Sequence, residues 1–300
     1  MEDFLFILGI TLQSSVAVLL ASLGEIITEK SGILNLGLEG IMLFSAFIGF
    51  ICTWYTQSLI LGFMGAMLAG GLLACIHAFF CIHLGSDQIL SGLALTILGT
   101  GLANFLGRSF IGLQTLSLAS FSLKSYYLNI LLRQLNVLVI LAFILTYLIH
   151  FILKKTTLGL NLSSVGENPQ VASSVGLNVY KYRYLATILG GMLTGLGGAY
   201  LSLAYTPGWK ENMTGGQGWI AIAMVIFSCL KPIRALVGAF LFGAFMALQF
   251  YFQAIGKELI PAYILKMLPF LLPLVILILI NRKNSKYSFP QGLGKPFLRT

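Results

Sequence analysis

Two cysteine and histidine pairs, Cys75 with His77 and Cys81 with His83, carry the side chains that zinc prefers and are the first candidates for chemistry in this sequence. On a helix of 100° per residue, the four side chains point in directions of about 0°, 200°, 240° and 80°. This scatter keeps them from converging on one ion. We therefore interpret the cysteines as small buried hydrophobic residues and predict no metal site.

Glycine-rich segments raise a second possibility, nucleotide binding. Residues 292–296 (GLGKP) lack the spacing of a phosphate-binding loop and the Ser or Thr that follows its lysine, and residues 195–197 (GLG) lie within an apolar stretch. Small residues at three- and four-residue spacing let membrane helices approach closely, which explains the glycines of 190–198 without a cofactor. We expect the chain to bind no cofactor and to hydrolyse no nucleotide itself.

Polar residues interrupt the apolar pattern in two segments. The first, 24–40 (GEIITEKSGILNLGLEG), mixes carboxylates, an amide and glycines, and the second, 213–219 (MTGGQGW), precedes a short apolar run. Irregular backbone at membrane depth survives only where protein or a water-filled cavity satisfies it, and broken helices of this kind often line transport paths. The alternative is that both segments are ordinary loops with helix caps.

These segments and their flanks supply the candidates for a solute path, namely Asn35, Glu39, Asn212, Gln217 and Trp219. Amide, carboxylate and aromatic groups suit ribose hydroxyls and a stacking base, and they suit a sugar or a flavin precursor nearly as well. Glu39 has two possible roles, a hydrogen bond to a polar substrate or support for broken backbone. The sequence leaves both roles open.

The elements that position these residues must be membrane helices. Hydrophobic residues make up 58% of the 300 residues, charged residues only 9%, and the mean hydropathy is +0.93, whereas soluble domains carry about 25% charged residues. No polar linker divides the chain, so we interpret residues 1–300 as one transmembrane domain in contact with lipid. The net charge of +9 clusters beside apolar runs, which indicates membrane flanks and argues against nucleic-acid binding.

We predict an all-α polytopic bundle with about nine spans, within a range of about eight to ten, since about 20 apolar residues cross the bilayer core. The predicted spans are Phe4–Gly24, Leu36–Trp54, Leu59–Leu84, Ile89–Gly107, Leu135–Leu153, Tyr184–Thr206, Gly218–Leu230, Ala235–Gly256 and Ala262–Ile280. Most Lys and Arg residues fall in loops that share a side with the basic tail, 281–300. This bias predicts an external N-terminus and a cytoplasmic C-terminus.

The longest polar segment on the predicted cytoplasmic side is the loop 154–183. Asn168 is a helix-capping residue, Pro169 suits a first helical position, and Gly176 suits a helix end about two turns later. The loop therefore predicts a short helix along the inner face of the membrane, able to dock on a cytoplasmic motor subunit. The alternative is a plain connector, although connectors are usually shorter.

Several motifs of this sequence resemble the permeases of bacterial ABC importers for branched-chain amino acids, simple sugars and nucleosides. The cytoplasmic loop carries residues 166–169 (GENP), Ala172, 175–179 (VGLNV) and 184–186 (YLA). An N-terminal signature covers parts of 24–40, and a later one covers 211–214 (ENMT) and 218–221 (GWIA). Residues 293–297 (LGKPF) are similar to the ending of the nucleoside-importer branch.

The resemblance implies a non-catalytic permease subunit of the bacterial cytoplasmic membrane that moves a small polar solute inward, with a nucleoside favoured over a sugar such as ribose or over riboflavin. Its implied partners are a second homologous permease, cytoplasmic ATPase subunits that bind the ATP, and a substrate-binding lipoprotein or periplasmic protein. The residues implied in ATPase coupling are Gly166, Glu167, Asn168, Pro169, Ala172 and Gly176. A stand-alone ion-coupled transporter is the alternative class, yet the spans contain few ionisable groups.

Overall fold

The computed structural model describes residues 2–121, 132–255, 267, 271 and 289–297. Ten α-helices lie within these ranges: α1 (Glu2–Lys30), α2 (Leu38–Thr56), α3 (Leu59–Ala78), α4 (Gln88–Gly107), α5 (Val137–Lys155), α6 (Thr157–Glu167), α7 (Pro169–Ser174), α8 (Val179–Tyr200), α9 (Gln217–Ser228) and α10 (Pro232–Ile255). A π-helical turn extends α3 over Phe79–His83, and another extends α8 over Leu201–Tyr205. The predicted span Ala262–Ile280 and most of the basic tail fall outside the described residues.

Seven helices of the described chain are long and apolar enough to cross a membrane, namely α1, α2, α3, α4, α5, α8 and α10. The prediction of an all-α polytopic bundle is therefore confirmed, and the predicted count of nine is approximate. The predicted span Gly218–Leu230 is wrong as a full crossing. Its helix, α9, has 12 residues and a length of about 18 Å, which is too short for a hydrocarbon core of about 30 Å.

Helix α8 lies at the centre of the bundle, packed against α1, α2 and α3. Within its most apolar window 72% of the residues are buried, compared with 28% in both α4 and α5. The outer helices expose large apolar side chains such as Ile97 and Phe105, at 73% and 78% of their surface. A helix that is apolar all round and exposed on one side fits contact with lipid.

Glycines allow the close approach of α8 to its neighbours. A Cβ atom on Gly190 would overlap the carbonyl oxygen of Gly24 in α1, and a Cβ atom on Gly24 would overlap that of Gly190. Gly191 meets Gly70 of α3 in the same way. The packing role predicted for the small residues of this span is confirmed, since only glycine leaves room for backbones at this distance.

The break predicted from Gly24 onward begins later than expected. Helix α1 continues through Gly24 to Lys30. Gly24 is a point of contact with α8, and it does not end the helix. The irregular connection covers only residues 31–37 and is mostly buried. It folds back along α1, so that the Asn35 backbone N–H donates to Glu25 Oε1 at 2.8 Å. The connection is therefore part of the protein interior.

Candidate functional site

Glu39, in the first turn of α2, holds the start of the half-length helix α9. Its Oε1 atom accepts hydrogen bonds from Thr214 Oγ1 at 2.5 Å and from the Gly216 backbone N–H at 2.9 Å, and its Oε2 atom accepts one from the Gly218 N–H at 2.7 Å. The first N–H groups of a helix lack intrahelical partners and carry partial positive charge, so a carboxylate stabilises them. Of the two roles open for Glu39, the structure displays support of the backbone.

Asn35 also supports backbone. Its Oδ1 atom accepts a hydrogen bond from the Gly37 N–H at 2.8 Å, and the side chain is 2% exposed. This local bond shapes the turn that leads into α2. Glu39 therefore contacts the start of α9, Asn35 contacts the turn before α2, and neither residue lines the cavity.

A cavity of about 790 Å³ lies where the connection between α8 and α9 meets α10. This volume is within the range of small-molecule sites, roughly 300 to 1,000 Å³. The backbone of residues 112–113 pairs with Trp209, with N···O distances of 3.1 Å in both directions, and closes one side. The polar and aromatic side chains of the wall include Tyr205, Trp209, Lys210, Asn212, Gln217 and Gln249. Lys210 is the one charged residue among the described lining residues.

Two predicted path residues, Asn212 and Gln217, contribute to this wall. Asn212 has a left-handed backbone conformation (φ 50°), and its Oδ1 atom accepts a hydrogen bond from Asn104 Nδ2 at 2.9 Å. Gln217 is the first residue of α9 and is 8% exposed, and its Oε1 atom is buried with no hydrogen-bond partner among the described residues. A buried amide oxygen without a partner is costly, and a rotation of the Gln217 side chain toward the cavity that it lines would let this oxygen accept a hydrogen bond from a ligand.

Trp219 lies outside the cavity. It follows Gln217 by two residues, a rotation of about 200° around a helix, and 40% of its surface is exposed. The tryptophan that does line the cavity is Trp209, which is 2% exposed and packs edge-on against Phe47, with ring centroids 5.1 Å apart. The sequence analysis missed Trp209, Tyr205 and Gln249. Only Gln249 carried a sequence signal, as an amide within an apolar span.

The short helix predicted in the loop 154–183 is confirmed as α7 (Pro169–Ser174). Asn168 Oδ1 accepts a hydrogen bond from the Val171 N–H at 3.1 Å, and Pro169 occupies the first turn. At the other end, Gly176 has φ 89°, its N–H donates to Ser173 O, and the Leu177 N–H donates to Ala172 O. These two bonds with a left-handed glycine form a Schellman motif, which ends the helix.

Helix α7 has one buried and one exposed face. Ala172 is 2% exposed and packs against Val165 and Val179, whereas Val171 and Val175 are 57% and 72% exposed. Among the residues predicted for coupling, Gly166 and Ala172 are buried and Pro169 is half-buried, whereas Glu167, Asn168 and Gly176 are exposed. A pair of exposed valines four positions apart on a short capped helix is a surface suited to a protein partner.

The cavity and α7 lie at opposite ends of the bundle. The span Val179–Tyr205 begins beside α7 and ends at the cavity wall, and its 27 residues cover about 40 Å at 1.5 Å per residue. A membrane-spanning bundle with a polar cavity beside a half-length helix, and with a short helix exposed at the far end, has the architecture of a transport subunit.

Over residues 6–279, the chain matches the family described as the permease component of the branched-chain amino acid transport system. It belongs to this family. It is 41% identical over 263 residues to a protein of Haloferax volcanii that is named as a putative glucose ABC transporter permease. This match covers 85% of this chain and 80% of the relative. No solved structure matches the chain.

Two further relatives are named for nucleosides. The nucleoside ABC transporter permease NupC of Lactococcus lactis is 33% identical, covering 88% of this chain and 89% of the relative. The guanosine ABC transporter permease NupQ of Bacillus subtilis is 32% identical, covering 96% and 95%. The chain is an ABC transporter permease, which decides against the alternative of a stand-alone ion-coupled transporter.

Proposed function

We propose that this permease forms, with a second permease, the inward path of a bacterial ATP-driven importer for a neutral polar solute, a nucleoside in the first instance. The observation that supports this is the chemistry of the cavity. Its polar lining offers amides at Asn212, Gln217 and Gln249 and aromatic rings at Tyr205 and Trp209, and the described wall contains no carboxylate. These neutral groups outnumber the one charged residue of the described wall, Lys210, and beside aromatic rings they suit a neutral solute with hydroxyls and an apolar face.

Glucose is the second candidate substrate. The relative with 41% identity is named for glucose, and the two named for nucleosides are 32–33% identical. Aromatic rings also pack against the apolar face of a sugar, so the cavity fits either class. What separates the two is the size of the ring system that a bound solute places against Trp209 and Tyr205.

Coupling to ATP hydrolysis takes place at α7. The exposed Val171 and Val175 enter an apolar groove on a cytoplasmic ATPase subunit, while Glu167 and Asn168 lie at the edge of this contact. This assignment puts the α7 end of the bundle in the cytoplasm and the cavity toward the exterior, where a substrate-binding protein delivers solute. The N-terminus is then external and the chain lies in the cytoplasmic membrane.

The complete transporter in proteoliposomes tests the proposal. Uptake of labelled purine nucleoside is measured with and without ATP, in competition with glucose, ribose and riboflavin. ATP-dependent uptake of the nucleoside that glucose, ribose and riboflavin do not inhibit supports the first substrate. No nucleoside uptake, together with ATP-dependent uptake of labelled glucose, supports the second. Uptake that proceeds equally without ATP would contradict the importer itself.

A further inference from the structure

The described part of the C-terminal tail, residues 289–297, lies against both α1 and the loop that carries α7. The Gly292 N–H donates to Gly166 O at 3.0 Å, and the Gly294 N–H donates to Gly32 O at 3.2 Å. Gly32 lies in the turn that follows α1, and Gly166 lies in the last turn of α6, which directly precedes α7. A Cβ atom on Gly166 would overlap Lys30 O, so α1 and the α7 loop are in direct backbone contact. The tail therefore bridges two elements that already touch.

A buried arginine of α8 also binds the tail. Arg183, in the first turns of α8, is fully buried, and its Nη1 atom donates to Lys295 O at 3.3 Å. Its Nε and Nη2 atoms have no partner among the described residues. A buried guanidinium that loses its acceptors is strongly disfavoured, so the carbonyl of Lys295 is an acceptor that Arg183 needs.

An aromatic ring of the tail lies in the same buried cluster as a residue of α7. Phe297 is 7% exposed and belongs to the same buried cluster as Val165, Ala172 and Val179. Its ring centroid is 5.6 Å from that of Tyr180. Ala172 is on the buried side of α7, so the ring of the tail shares an apolar cluster with the helix whose other face is proposed to meet the ATPase.

From the proposed importer function and these contacts, we infer that residues 289–297 position α7 against the end of α1, so that displacement of α7 is transmitted to the connection 31–37. The same connection leads to the cavity. It ends at α2, where Glu39 binds the start of α9, and α9 begins with Gln217 in the cavity wall. Packed side chains and hydrogen bonds at each junction form a contiguous network through which coupling between the two ends can travel. Phe297, Gly292 and Arg183 are positioning residues in this scheme.

The test compares Phe297→Ala with Gln291→Ala, an exposed position of the same segment, in the complete transporter in proteoliposomes. Phe297→Ala should lower the solute taken up per ATP hydrolysed by at least about fivefold, the lower bound of typical coupling between sites. Co-purification of the ATPase should be unchanged. Gln291→Ala should match the wild type, and Phe297→Leu, which retains an apolar side chain, should restore most of the ratio.

Three results would overturn the inference. The first is a wild-type ratio of uptake to hydrolysis in Phe297→Ala, and the second is an equal loss of this ratio in Gln291→Ala. The third is failure of both Phe297→Ala and Phe297→Leu to accumulate in the membrane, because the segment would then be a folding element only. Failure of the proposed function is visible separately, because it would appear as ATP-independent uptake by the wild-type transporter.

Discussion

The Glu39 Oε2 atom accepts a hydrogen bond from the backbone N–H of Gly218 at 2.7 Å, across 179 positions of the chain. This contact joins α2, which is linked to α1 by the connection 31–37, to α9, the half-length helix that lines the cavity. Its carboxylate takes the place of the N-terminal cap that Gly216, with no side chain, cannot supply to α9. The start of α9 is thus held by a side chain of α2.

Replacement of Glu39 by Gln should weaken the start of α9. The amide retains one acceptor, loses at least one of three hydrogen bonds and removes the charge that faces the helix N-terminus, for a cost of about 2 kcal/mol. Uptake by the complete transporter should fall severalfold, and the melting temperature of the purified chain should fall. Glu39→Asp, which retains the charge on a shorter side chain, should be intermediate. Wild-type uptake in Glu39→Gln would contradict the capping role.

The ends of α7 could be predicted from sequence because their determinants are local. Asn168 bonds to a backbone group three residues away, and Gly176 has the left-handed conformation that glycine adopts readily at a helix end. The partners of Glu39 could not be predicted in this way. Thr214 is 175 positions away, and a carboxylate beside broken backbone looks the same in sequence whether it binds solute or N–H groups.

The candidate site was predicted in part for the same reason. Gln217 lies within the segment 213–219 and Asn212 directly precedes it, and the sequence pattern identifies this segment as polar at membrane depth. Trp219 was predicted from its residue type, and the rotation of α9 directs it away from the cavity. Trp209 gave no signal, because its burial depends on the space that Gly107 of α4 leaves for its ring.

Replacement of Gln217 by Ala should reduce the apparent affinity for the transported solute. The lost bond is a neutral one, worth about 0.5 to 1.5 kcal/mol, so the half-saturating concentration should rise about twofold to twelvefold. Trp219→Leu is the matched control on the same helix, since its side chain lies outside the cavity. Uptake titrations of both variants decide the point. A larger effect at Trp219 than at Gln217 would place the solute path on the other side of α9.

Charged substitutions on the exposed face of α7 should separate the permease from its ATPase. Val171→Asp with Val175→Asp places two carboxylates where an apolar contact is proposed, and a well-buried interface residue is worth about 2 kcal/mol or more when lost. Co-purified ATPase should fall by about tenfold or more for the pair. Gln170→Glu, an exposed position of the same helix, should have little effect. Normal co-purification with both aspartates present would exclude this face.

Replacement of glycine by alanine should have opposite effects on stability at Gly24, which contacts Gly190, and at Gly101, which has open space beside it. Gly24→Ala should force α1 away from α8, since the new methyl group would overlap the Gly190 carbonyl, and a strained core contact costs about 1 to 3 kcal/mol. Gly101 in α4 has no atom within 4 Å of an added Cβ. Gly101→Ala should therefore stabilise the chain by about 0.5 to 1 kcal/mol through helix propensity alone. Thermal unfolding of the two variants in detergent measures both signs, and a melting temperature for Gly24→Ala at or above the wild type would refute tight backbone packing there.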